Sequence, residues 1–102
     1  MNADTAQLIA TLTAPPTRTE LEALSRRADA LEVRADLVGD LDPAELRAAF
    51  DGTLIYTLRS RAEGGEGREA EGDRASRILE ASAGYDLVDL EAARDLRSRL
   101  LG

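Results

Sequence analysis

The stretch A-L-E-V-R-A-D, from Ala30 to Asp36, decides the fold that this sequence predicts. Its apolar residues alternate with charged ones, and the alternation continues to Leu37. The three charged residues are Glu32, Arg34 and Asp36. A period of two is typical of a β-strand that has one apolar face and one polar face. The stretch therefore predicts a strand with a fully charged face.

Candidate strands and helices alternate along the rest of the chain. The strands are predicted over residues 7–13, 30–36, 53–59 and 85–91. The helices are predicted over residues 17–28, 43–50, 73–83 and 92–101. Such alternation is typical of an α/β fold built from parallel βα units. Because these units connect by right-handed crossovers, four of them form a sheet with all helices on one side, which is half of a (β/α)8 barrel.

Several helix ends carry recognisable signals. In T-R-T-E, Thr17 is predicted to cap the first helix and Glu20 to return a hydrogen bond to the backbone. Asp42 and Pro43 are predicted to form the N-cap and first turn of the second helix. Gly84 is expected to terminate the third helix as a C-cap. The residues predicted to point inward from that third helix are Ile78 and Leu79.

The charged face of the 30–36 stretch leaves two readings open, because central strands of parallel sheets are usually apolar on both faces. One is an edge strand with a solvated face, and the other is a polar site inside a barrel. In barrels of this kind, ligand sites lie at the C-terminal ends of the strands. Four residues near those ends are therefore expected to lie toward one common face, namely Thr11, Arg34, Arg59 and Glu91. Glu32 lies on the same predicted strand as Arg34.

The amino-acid composition limits the chemical groups that this chain can use for binding and catalysis. The 102 residues carry a net charge of -7, and all 13 basic residues are arginine, because lysine and histidine do not occur. Such a surface repels nucleic acid, and three aromatic residues offer little stacking, so no nucleic-acid partner is expected. A Schiff-base amine and a neutral-pH proton shuttle are both missing from the chain. Carboxylates, arginines and hydroxyls must supply its polar chemistry.

The same totals bear on location and cofactors. The chain has no cysteine, which excludes disulfides and thiolate metal sites, and no metal or other cofactor is expected. The start M-N-A-D-T-A has no signal-peptide character, and no apolar run approaches membrane-spanning length, so no membrane partner is expected. These features predict one cytoplasmic domain spanning residues 1–102.

Four short motifs, on the second, third and fourth predicted strands and in the loop after the third, then carry a resemblance. They are E-V-R-A-D at Glu32–Asp36, T-L-R-S at Thr57–Ser60, E-G-G at Glu63–Gly65 and D-L-V-D-L-E at Asp86–Glu91. Their order and spacing, across residues 7–92, resemble the N-terminal half of type I 3-dehydroquinate dehydratases. That family is a (β/α)8 barrel of the shikimate pathway, which removes water from 3-dehydroquinate to give 3-dehydroshikimate. The resemblance implies that the four units are the first four of such a TIM barrel.

The resemblance also implies roles for five residues. Glu32 and Arg34 would contact the ring hydroxyls of 3-dehydroquinate, and Arg59 would help to bind this polar substrate. Thr11 matches a hydroxyl near the site. Glu63 matches the acidic residue that orients the catalytic histidine. Two further matched residues are expected to act in helix capping or barrel packing rather than catalysis, namely Asp36 and Glu91.

The family forms a Schiff base between a lysine and the substrate ketone, while a histidine moves the protons. Both come from later strands of the family's barrel, so the chain alone is expected to be inactive. Our leading hypothesis is the substrate-binding half of a type I 3-dehydroquinate dehydratase. A competing hypothesis is a non-catalytic half-barrel that binds or interacts by self-association into a homodimer. A third is an open α/β domain in which residues 32–36 form a solvated edge.

Overall fold

The computed structural model describes residues 6–61, 64–66, 71–91 and 95, and within them one sheet of parallel strands alternates with helices. The strands are β1 (Ile9–Leu12), β2 (Ala30–Arg34), β3 (Thr53–Thr57) and β4 (Leu87–Asp89). The helices are α1 (Arg18–Ser25), α2 (Ala35–Val38), α3 (Pro43–Arg47) and α4 (Glu71–Ser82). The strand order is β1-β2-β3-β4, and every neighbouring pair is parallel. The predicted α/β fold is confirmed.

The strand register gives the sheet a packed face and an open face. Residues paired across parallel strands point to the same side. The packed face meets the helices with Ala10, Leu31 and Leu54 in one row and with Leu12, Val33, Tyr56 and Val88 in the next. The helical side of this core includes Leu21, Leu46, Phe50 and Ile78. The apolar half of the β2 alternation therefore holds the core together.

The open face carries the other half of each strand's alternation. Its rows are Ile9, Ala30 and Thr53; then Thr11, Glu32, Ile55 and Leu87; then Arg34, Thr57 and Asp89. Ile9 and Leu87 remain 57% and 56% exposed on this face. The open face therefore combines exposed aliphatic residues with charged and hydroxyl residues, and its last row, at the C-terminal ends of the strands, is entirely polar.

β2 is an interior strand, paired with β1 on one side and with β3 on the other. The edge-strand reading of the 30–36 stretch is therefore wrong. β2 also ends at Arg34, two residues earlier than predicted, because the chain turns directly into α2. In a strand, Ala35 and Leu37 would point to the same face, but within this helical turn Ala35 is buried and Leu37 is exposed. The alternation of apolar and charged residues therefore continues past the end of the strand.

The helix N-termini follow their predicted signals. The Thr17 hydroxyl accepts from the Glu20 N–H at 3.1 Å, and the Thr17 N–H donates to Glu20 Oε1 at 2.8 Å, which completes the capping box. Asp42 Oδ1 accepts from the Ala44 N–H at 2.9 Å, with Pro43 as the first helical residue. Both N-terminal predictions are confirmed, although α3 ends at Arg47 rather than at residue 50.

α4 departs from its prediction in two respects. Ile78 is buried as expected, but Leu79 is exposed, because the next position along the helix turns away from the sheet. Gly84 does not adopt the left-handed conformation of a C-cap glycine. A Cβ there would lie 2.6 Å from Pro43 Cγ, so close packing against the start of α3 requires glycine. The predicted helix over residues 92–101 lies outside the described residues, except for Asp95.

Candidate functional site

Glu32 lies in the middle of the open face and is bound from both sides. Its Oε1 accepts from the Thr11 hydroxyl on β1 at 2.9 Å, and its Oε2 accepts from the Thr57 hydroxyl on β3 at 2.7 Å. The parallel register brings these hydroxyls to the carboxylate, since Thr11 is paired with Glu32 directly and Thr57 is paired with Arg34 one step along the same face. Three adjacent strands therefore fix the orientation of one carboxylate.

Arg34 and Asp36 form a two-pronged ion pair at the end of β2. Arg34 Nε and Nη2 donate to the two Asp36 carboxylate oxygens at 2.9 and 2.7 Å. The Arg34 side chain is 19% exposed and that of Asp36 is fully buried. The hydrogen bond to Asp36 raises the pKa of Arg34 further above its ordinary value, against the lowering effect of burial. Geometry of this kind holds the guanidinium in one orientation.

Asp36 also binds the main chain that follows β3. It accepts from the Arg59 N–H at 3.3 Å and from the Glu66 N–H at 3.0 Å. Burial alone raises the pKa of Asp36, but the hydrogen bond from Arg34 and the two backbone N–H groups outweigh it and lower that pKa to about 2. Asp36 therefore joins the end of β2 to the loop after β3.

This low pKa predicts an acid-dependent loss of stability. Because the folded-state pKa lies below the ordinary value of 3.8, the contribution of Asp36 is complete above about pH 4 and is lost as the pH falls toward 2. The shift corresponds to about 2 kcal/mol. Urea unfolding of the wild type and of Asp36→Asn between pH 6 and pH 2.5 measures it. The wild type should lose about 1.5 kcal/mol more stability than the variant by pH 2.5, where the loss is not yet complete, and parallel losses would contradict the assignment.

Arg59 lies two residues beyond β3, near Asp89 at the end of β4. The Arg59 Nη2 and Asp89 Oδ2 atoms are 3.8 Å apart, and the two side chains are 34% and 51% exposed. An ion pair at this distance and exposure contributes little to stability. Its guanidinium can therefore exchange this contact for a stronger one with a ligand at low energetic cost.

A buried cluster, which we call the Arg74 cluster and define as Arg74, Glu91 and Asp95, lies under the same end of the sheet. Arg74 donates to both carboxylate oxygens of Asp95 at 3.0 Å, and its Nη2 is 3.5 Å from Glu91 Oε1. Arg74 Nη1 donates to the Leu58 carbonyl. Glu91 Oε2 accepts from the Ser60 N–H at 2.7 Å. The cluster contacts the chain on both sides of Arg59.

The structure brings most of the sequence-predicted site residues together. Thr11, Glu32 and Arg34 share the open face, and Arg59 follows the strand beside them. Glu91 does not lie toward that face as expected, because its carboxylate is buried against Arg74 of α4. The predicted role of Glu63 concerns a residue outside the described part of the chain.

Sequence reasoning missed three residues of this region. Thr57 and Asp89 lie within the motifs without a predicted role, although the parallel register puts both in the row of Arg34. Arg74 also has no predicted role. The sequence feature that could have indicated its burial is spacing: Arg74 lies four residues before the buried Ile78, which puts this arginine on the apolar face of α4.

The open-face site is suited to recognition more than to proton transfer. It offers one oriented carboxylate, Glu32, and two arginines, Arg34 and Arg59, at the C-terminal ends of adjacent strands. Such groups bind a small molecule that carries both hydroxyls and a negative charge. Within the described residues there is no group of three or more carboxylates arranged to hold a metal ion, and no helix long and apolar enough to cross a membrane.

Comparisons with known proteins agree with this architecture. A family model for type I 3-dehydroquinase matches residues 9–101. A 3-dehydroquinate dehydratase from Methanothrix thermoacetophila is 37% identical over 98 residues, covering 95% of this chain and 43% of the relative. One from Methanosarcina acetivorans is 32% identical, covering 94% and 45%.

A solved structure shares the fold. The type I 3-dehydroquinate dehydratase from Clostridium difficile, crystallised with covalently modified comenic acid, superimposes with a TM-score of 0.72 at 22% identity. The match covers 90% of this chain and 43% of that one. The chain thus spans less than half the length of the relatives it matches, and its four parallel units correspond to half of their barrel. The chain belongs to the type I 3-dehydroquinase family, of which it represents the N-terminal half.

Proposed function

We propose that this chain is the substrate-binding half of a 3-dehydroquinate dehydratase. One observation carries the proposal: Glu32 is oriented by hydroxyls from both neighbouring strands, on the same open face as Arg34. A carboxylate whose oxygens each accept one hydroxyl still has lone pairs available for the hydroxyls of a ligand. The names of the matched relatives supply the identity of that ligand, 3-dehydroquinate, a ring acid with several hydroxyls.

The two arginines have different tasks in this proposal. Arg34, held by Asp36, presents its remaining N–H groups to a ring hydroxyl in a fixed direction. Arg59, whose contact with Asp89 is long and exposed, turns toward the negatively charged part of the substrate. Charged hydrogen bonds of this kind hold a reactant in one orientation, which is the contribution of a binding half to catalysis.

The chemical step needs groups that this chain does not contain. In the family's mechanism a lysine forms a Schiff base with the substrate ketone and a histidine moves the protons, and this sequence has neither residue. Both would be supplied by polypeptide that completes the barrel. Glu63 would orient the histidine from this side of the site.

The test compares the chain alone with a completed barrel. The purified chain should give no turnover of 3-dehydroquinate, whereas its fusion to the unmatched remainder of the Methanothrix thermoacetophila relative should produce 3-dehydroshikimate, followed by ultraviolet absorbance. Arg34→Gln should lower kcat/KM of the fusion by about 100-fold or more. Arg18→Gln, an exposed arginine of α1, is the matched control and should not. A folded but inactive fusion, or ordinary turnover by the chain alone, would contradict the proposal.

A second candidate function is a self-associating half-barrel, favoured by the exposure of Ile9 and Leu87 on the open face. Two copies would together supply eight strands and cover these side chains. Light scattering of the purified chain tests it. Leu87→Asp should convert a dimer to a monomer, while Leu79→Asp, which adds the same charge to the exposed side of α4, should leave the dimer intact. A folded wild-type monomer at micromolar concentration would refute it.

A further inference from the structure

The main chain around Arg59 is bound at three consecutive residues by buried or half-buried charged side chains. Arg74 donates to the Leu58 carbonyl, Asp36 accepts from the Arg59 N–H, and Glu91 accepts from the Ser60 N–H. These three side chains come from α4, from α2 and from the segment after β4. A loop residue held in this way has little freedom to change its backbone direction.

Arg74 is the centre of this arrangement on the packed side. Its side chain is 3% exposed, and it contacts Asp95, Glu91 and the Leu58 carbonyl together. All three nitrogens of the planar guanidinium therefore donate to fixed oxygens, an arrangement that a lysine could not reproduce. The Glu91 carboxylate that binds Ser60 is also attracted by the charge of Arg74, because its Oε1 lies 3.5 Å from Arg74 Nη2, although the two atoms form no hydrogen bond.

The other side of the Arg59 backbone is closed as well. A Cβ on Gly65 would lie 2.3 Å from the Arg59 carbonyl oxygen, and the Gly65 N–H donates to the Ser60 carbonyl at 2.8 Å. The backbone of Arg59 is thus enclosed, while its guanidinium remains one-third exposed near Asp89. A fixed backbone with a movable guanidinium is the arrangement expected of an arginine that must start from one position to reach a ligand.

We propose that Arg74 is a positioning residue for Arg59: through the Leu58 carbonyl and through Glu91 and Ser60, it sets the backbone direction from which the Arg59 guanidinium reaches the open face. Arg74 contacts no ligand in this proposal and acts through Arg59 alone. The inference rests on the proposed function for its consequence in substrate binding, but the structural part of the claim concerns the Arg59 backbone and is measured without substrate.

The first experiment uses amide hydrogen exchange of the ¹⁵N-labelled chain without ligand. Arg74→Gln should accelerate exchange at Arg59 and Ser60 by about 10-fold or more relative to Leu54, whose N–H is bound by Asp86 at the other end of β3. Arg77→Gln removes an arginine one turn further along α4, paired with Asp40, and should leave the Arg59 and Ser60 amides unchanged relative to Leu54. If Arg74→Gln does not fold, Arg74→Lys keeps the cation and should show the same pattern at smaller size. Unchanged exchange at Arg59 and Ser60 in a folded Arg74 variant would overturn the proposal.

The second experiment is a double-mutant cycle on 3-dehydroquinate affinity, measured by calorimetry. If Arg74 acts through Arg59, Arg74→Gln and Arg59→Gln should each weaken binding by about 10-fold, and the double variant by about the same amount. A loss of affinity near 100-fold in the double variant, equal to the two single losses multiplied, would mean that the two substitutions act independently, and it would refute positioning through Arg59. Failure of the wild type to bind 3-dehydroquinate would instead count against the proposed function, and the exchange experiment would still decide the role of Arg74.

Discussion

Replacing Asp36 by alanine is expected to lower the free energy of unfolding by about 3 to 5 kcal/mol, a large part of the stability of a domain of this size. The substitution leaves the Arg34 guanidinium, only 19% exposed, without its carboxylate. It also removes the acceptor of the Arg59 and Glu66 N–H groups, which releases the loop after β3 from the end of β2.

Urea unfolding at pH 7 measures this loss. Glu22→Ala is the matched control, since Glu22 also pairs with an arginine, Arg18, but both side chains are exposed, so its removal should change stability by no more than about 0.5 kcal/mol. A change below about 1 kcal/mol for Asp36→Ala, with the same denaturant dependence as the wild type, would show that the bonds of Asp36 contribute little to the fold.

Glu32→Ala is expected to weaken 3-dehydroquinate binding by about 100-fold or more, because it removes a charged acceptor from the centre of the open face. The same substitution should cost the fold at most about 1 kcal/mol, since Glu32 is half-buried and its bonds are to the hydroxyls of Thr11 and Thr57. Loss of function without loss of stability is the signature of a binding residue.

Calorimetric titration of the wild type, Glu32→Ala and Glu32→Gln distinguishes the contribution of the negative charge of Glu32 to affinity from that of its side-chain size. Glu32→Gln keeps one acceptor oxygen and the length of the side chain, so its affinity should fall between the other two. Thr57→Val removes one of the two orienting hydroxyls and should weaken binding by a smaller factor, about 10-fold. Wild-type affinity in a folded Glu32→Ala variant would exclude Glu32 from the site.

The alternation in β2 was sufficient to predict the strand and its two unlike faces, because the pleat makes side-chain direction depend only on residue parity. It could not predict where the strand ends. Ala35, Asp36 and Leu37 continue the same alternation in a helical turn, and a turn of four residues is too short for its own period to appear in the sequence.

The common location of Thr11, Glu32 and Arg34 was predictable because the C-terminal ends of parallel strands share one edge. Arg74 and Glu91 were harder, since a charged residue in a helical or strand-end pattern is normally assigned to solvent. Their burial depends on a mutual pairing that only the fold creates. Likewise Leu79 was predicted inward from hydrophobicity alone, whereas the packed face of α4 is shared by Arg74, Ala75 and Ile78.

The strand order β1-β2-β3-β4 has a consequence for how such a chain folds and evolves. Each strand pairs with its neighbours in the sequence, so every pairing closes a loop of about one βα unit and the search for native contacts stays local. Stability then accumulates as a sum of neighbour-to-neighbour terms, as in a repeat protein. A chain built in this way can be shortened, split or extended at the junction between two units with the loss of a single strand-to-strand interface.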